Sequence, residues 1–168
     1  MTDINRALAA SKEAIEELIA TGERCGNAWA APRAPGKWSP SQIVEHVARS
    51  LEESANMAAS RPSKFSKLPG VVRPIVRGFL FTRVLRTGAF PKAKTNKAMN
   101  PVSGPSTAAE GRVRLETAYE KFDAACRQLA SHGEPIRTTI FGAVPVAEYV
   151  RFMELHTRHH GKQMADSQ

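Results

Sequence analysis

GKWSPSQIVEHVARS, residues 36–50, carries an unusually complete helix start. Ser39 is a good N-cap, Pro40 suits the first helical position, and Gln42 stands where a capping-box partner belongs. Trp38 precedes the cap and Ile43 follows five residues later, the spacing of a hydrophobic staple. Along the helix Ile43, His46, Val47, Ser50 and Leu51 share one face. His46 therefore points inward with the apolar residues.

A second inward-facing set lies near the end of the chain. From Val146 to Gln163, Tyr149, Met153, His156, His160 and Gln163 fall on one helical stripe. His159 falls at the edge of that stripe, so His160 is the better partner for His156, although spacing alone also allows His156 with His159. His46, His156 and His160 would together make a three-nitrogen site. Such a site suits Zn, Ni or Fe as the divalent metal and leaves a coordination position for water or substrate. A lone inward histidine is more often a hydrogen-bonded core residue, and HxxxH arises by chance. Three buried imidazoles without a metal, however, would each need a polar partner.

The remaining elements are helical. Residues 3–21 repeat apolar side chains at Ile4, Leu8, Ile15, Leu18 and Ile19. Gly22 and Gly26 loosen the chain, and Pro32, Pro35 and Gly36 mark a loop. Residues 61–72 read as a loop, and residues 73–86 as a basic amphipathic helix interrupted by Gly78. Residues 87–106 form a long irregular segment, usually functional at that length. A helix returns from about Thr107 to Ala130, and residues 136–142 are briefly extended. The expected fold is all-α: a four-helix bundle with an additional short basic helix, as one domain over residues 1–168.

Hydrophobic residues make up 42% and charged residues 24%, as in an ordinary soluble globular protein. No apolar run spans a bilayer, and the N-terminus lacks a signal-peptide pattern, so a cytoplasmic location is expected. Cys25 and Cys126 fit no metal or redox spacing and read as buried free thiols. The net charge of +8 is localised. Between Glu53 and Glu110 there is no acidic residue, while Arg61, Lys64, Lys67, Arg73, Arg77, Arg83, Arg86, Lys92, Lys94 and Lys97 are basic. The rest of the chain carries 14 basic against 16 acidic residues. This middle third could attract a small anion, a membrane surface or a nucleic acid. Against nucleic acid, it lacks a recognised motif. Arg73, Arg77, Arg83 and Arg86 could pair with substrate carboxylates, while a solvated basic face is the simpler reading.

The segment at 36–50 resembles the second helix of the DinB-like (YfiT-like) superfamily, with its Trp-Ser/Thr-Pro start and inward histidine. FGAVPVAEYVRFMELHTRHHGKQ, residues 141–163, resembles the family's last helix with its His-x-x-x-His-x-x-Gln ending. The resemblance implies a four-helix bundle with a long crossover and a metal triad of His46, His156 and His160. Gln163 would support that triad from behind without ligating. Relatives with thiol-dependent S-transferase, isomerase or metal-dependent hydrolase activity, some using a low-molecular-weight thiol, imply a metal-dependent transferase or hydrolase and a homodimer. The likeness is closest to a bacterial subgroup with no settled activity, so no single reaction follows. A non-catalytic metal- or ligand-binding bundle, and a surface binder working through residues 61–97, stand as alternatives. No carboxylate reads as a general base: Glu45, Glu148 and Glu154 all lie off the histidine stripe.

Overall fold

A computed structural model describes residues 3–32, 34–92 and 95–165. Lys94, one of the ten basic residues, lies outside the described set. Four long helices carry the fold: α1 (Ile4–Arg24), α2 (Pro40–Ala58), α5 (Ala108–Ser131) and α6 (Val146–Ala165). Between α2 and α5 the chain forms α3 (Arg73–Val76), a π-helical turn (Arg77–Phe81) and α4 (Thr82–Thr87). The break expected at Gly78 is thus a π turn within a continuous helical path. A hairpin of β1 (Ile136–Thr138) and β2 (Gly142–Val144), with Ile136 opposite Val144, leads into α6. The brief extension at 136–142 extends into a second short strand that sequence periodicity had not indicated.

Local signals set the helix limits. Asp3 caps α1 by accepting from the Asn5 N–H, and Thr107 caps α5 by accepting from Glu110. The capping box on α2 is complete: Ser39 Oγ accepts from the Gln42 N–H, and Gln42 Oε1 accepts from the Ser39 N–H. Gly22 does not loosen the chain as its sequence suggested, because α1 runs on to Arg24.

The bundle is two packed pairs, α1 along α6 and α2 along α5. Leu8, Leu18, Leu51, Leu115 and Phe122 fill the space between them and are fully buried. Trp29 sits between the pairs. Its ring lies so close to Gly22 and Gly111 that a Cβ at either glycine would come within 3.0 and 2.7 Å of it. The absence of side chains there is what admits the indole. Cys25 and Cys126 are buried free thiols, and burial pushes the Cys126 thiol up to about 12.

The crossover between α4 and α5 is tied down at several points. Trp29 Nε1 and Ser41 Oγ both donate to the Pro105 carbonyl, at 2.8 and 2.7 Å. Gln42 Nε2 donates to the carbonyls of Pro101 and Val102, and Trp38 Nε1 donates to Asn100 Oδ1. Gly104 lies against α2 so closely that a Cβ would meet the Ser41 carbonyl oxygen at 2.1 Å. These bonds fix the backbone at Met99, which bears on the site below.

Candidate metal centre

His46 of α2 and His156 and His160 of α6 meet at the seam between the two helix pairs. One ligand atom from each lies within 4.8 Å of the others. His156 Nε2 is 3.3 Å from His46 Nε2 and 3.2 Å from His160 Nε2. His46 and His160 are buried, at 5% and 7% exposure, while His156 keeps part of its surface open.

Hydrogen bonding decides where the ring protons sit. His46 Nδ1 lies 2.8 Å from the Met99 carbonyl, which can only accept, so that nitrogen carries the proton. His160 Nδ1 donates to Gln163 Oε1 at 2.9 Å, and Gln163 Nε2 donates to His159 Nε2 at 3.0 Å. Both rings therefore turn an Nε2 lone pair towards the same point. His156 Nδ1 is shielded from solvent and has no hydrogen-bond partner among the described residues. A proton on His156 Nε2 could satisfy one neighbouring lone pair and not both. A proton on Nδ1 would leave three lone pairs converging. A cation at the centre removes that conflict. Two imidazole nitrogens on a tetrahedral Zn, each at about 2.0–2.1 Å, stand about 3.3–3.4 Å apart. The two spacings from His156 fit that edge, His46 and His160 offer their ligand atoms within 4.8 Å of each other, and the donor set fits a divalent metal.

The electrostatics agree. Burial lowers the pKa of His46 and His156, and it drives His160 down to about 3. All three are neutral near pH 7 and present lone pairs without first losing a proton. The same shifts set a pH dependence. In the unfolded chain these imidazoles titrate near 6.5, so below that pH the unfolded state binds more protons than the folded one. Stability is then full above about pH 6.5 and falls as the pH drops towards the folded values. The urea midpoint of metal-free protein should be lower at pH 5 than at pH 7.5; an equal or higher midpoint would contradict buried neutral imidazoles.

Several neighbours carried no sequence signal for this role. Trp38 read as a staple residue, yet its ring centroid lies 4.7 Å from that of His46 and 6.0 Å from that of His160. Phe90 stands edge-on to His156 at 5.6 Å and lies 5.3 Å from His159. The Met99 carbonyl, 53 residues from His46, could not be found from spacing. Glu53 is a buried carboxylate, seven residues after His46, that accepts from the Lys64 N–H and ties the 61–72 loop to α2.

The arginines named from sequence lie in two clefts apart from the histidines. Arg73 and Arg77 line one with Phe141 and donate to the carbonyls of Leu68 and Ala143. Arg83 lines the other with Arg86 and Phe79. None of the three histidines lines either cleft. Glu45 is held by Arg49 and Arg114, and Glu154 by Arg158, so both are committed to ion pairs.

A family model described as DinB superfamily matches residues 4–164. No curated protein and no solved structure matches the chain.

Proposed function

Given that the chain belongs to the DinB superfamily, we propose that it is a metal-dependent enzyme of the thiol S-transferase or hydrolase class. Its substrate would be small and anionic or thiol-bearing. The observation that carries this reading is the convergence of the Nε2 atoms of His46, His156 and His160. A divalent ion held by three neutral imidazoles keeps its full charge, and so acidifies a bound water or thiol.

The chain's own residues favour the thiol branch. A hydrolase gains from a carboxylate that can take a proton beside the site. Here Glu45 and Glu154 are locked to arginines. A thiol ionises readily next to a cation and needs less help from a base. His46 is oriented by the Met99 carbonyl and His160 by Gln163. Trp38 and Phe90 provide apolar walls that limit water. Of the arginines, Arg73 and Arg77 are anchored to backbone carbonyls. Arg83 lines the other cleft with Arg86 and no histidine, so it is not part of this reading.

The aromatic cover also suits a second reading, a non-catalytic binder that holds metal or a small ligand without turnover. No helix among the described residues is long and apolar enough to cross a membrane, which is compatible with the proposed cytoplasmic setting. A homodimer belongs to the same proposal.

The test is reconstitution of metal-stripped protein with Zn, Ni or Fe, followed by assay of thiol transfer to an electrophile and of ester and amide hydrolysis. Metal-dependent thiol transfer is the expected result. Tight metal binding without turnover in any assay would favour the binder, and failure to take up metal would end the enzyme reading and leave the binder only a small ligand to hold.

A further inference from the structure

We infer that the segment from Val71 to Arg86, a turn that leads into a helical path, is a docking face for an anionic lipid bilayer. It does not depend on the histidine cluster.

Large apolar side chains are seldom left in water at regular spacing. Val71, Ile75 and Phe79, each four residues after the last, are 84%, 63% and 80% exposed. They account for three of the five large apolar residues left exposed among the described residues. Ile75, Phe79, Arg83 and Arg86 line one shallow groove, so the apolar stripe and two guanidiniums share a surface. Arg83 and Arg86 are exposed, and neither side chain has a hydrogen-bond or ion-pair partner among the described residues. The opposite side of the segment is anchored: Phe81 and Val84 are buried, and Arg73 and Arg77 donate to backbone carbonyls. The outward face is therefore presented on a fixed support.

Charge selects the occupant. No acidic residue occurs between Glu53 and Glu110 to offset the arginines. A second copy of the chain would bring the same positive face, and like charges oppose that pairing. Three exposed apolar side chains make a narrow stripe, where a stable interface takes roughly 800 Å² per partner. A nucleic acid would use the cations but gain little from valine and isoleucine, which cannot stack on bases. An anionic bilayer uses both: apolar side chains enter the acyl boundary while arginines meet headgroup phosphates and carboxylates.

The test is co-sedimentation of the full-length protein with phosphatidylcholine vesicles, with and without phosphatidylserine. Binding only to the phosphatidylserine vesicles, weakening as salt rises, is expected. Ile75→Ser/Phe79→Ser and Arg83→Ser/Arg86→Ser should each reduce the partition coefficient about tenfold or more. Phe79→Ser alone should give an intermediate loss, and the thermal midpoints should stay at the wild-type value. Equal binding to both vesicle types, or wild-type binding by the apolar double variant, would overturn the inference. So would tighter binding to duplex DNA that the apolar variant retains, which would assign the face to nucleic acid. A wild-type dimer that Ile75→Ser/Phe79→Ser dissociates would assign it to a second copy.

Discussion

His46→Ala or His160→Ala should bind a divalent ion about 10²–10³-fold more weakly than the wild type, since one of three ligands is lost from a binding energy on the order of 10 kcal/mol. Elemental analysis of wild-type protein should find about one equivalent of Zn, Ni or Fe, nearly absent from both variants. Stability gives a second readout. Saturating metal at about 100 times Kd adds about 2.7 kcal/mol to the folded state, or about 5–10 °C in Tm for a chain of this size. The variants should lose that increment. Their metal-free Tm should change less, because each substitution also removes one of the mutually facing lone pairs. Undiminished metal content in both variants, or a wild type that takes up none, would sink the site.

The second large effect is expected far from the histidines. Trp29→Ala should cost about 3–5 kcal/mol, as for other buried aromatic residues cut to alanine. The ring is 6% exposed and rests on the bare backbone at Gly22 and Gly111, so helices on both sides must collapse to fill the gap. The substitution also frees the Pro105 carbonyl from one of its two donors. That loosens the crossover whose Met99 carbonyl orients His46. Metal affinity should then fall about tenfold, the scale of losing an orienting partner. Trp29→Phe keeps most of the packing and should cost much less, with urea titration and metal titration run side by side. Equal midpoints for the two variants would show that the ring does not wedge the pairs apart.

The parts legible in the sequence were those with local causes. Ser39, Pro40 and Gln42 specify the start of α2 within four residues, and the structure has that capping box. Helical periodicity places His46, His156 and His160 on inward faces, and the structure brings the three together; Gln163 falls on the same stripe, and its supporting role came from the family resemblance. What escaped depended on distance or on the backbone. Trp29 gives no periodic signal, and its role appears only when Gly22 and Gly111, 89 residues apart in sequence, are seen on either side of it. The Met99 carbonyl is a main-chain group and leaves no mark in residue type. The arginines of the middle segment were visible as charge, yet charge does not tell which guanidiniums would bind backbone carbonyls, as Arg73 and Arg77 do. The second strand of the hairpin, only three residues long, is too short to show alternation.

The two-pair build gives the histidine cluster a mechanical meaning. α2 belongs to one pair and α6 to the other, and these two helices touch each other far less than each touches its own partner. An ion shared by His46 and the α6 histidines would act as a clasp across that seam. Filling the clasp would couple the pairs into one cooperative unit. With it empty, the seam is where the bundle would breathe first, opening the space a substrate must enter. Rigidity and access would then be opposite settings of the same joint.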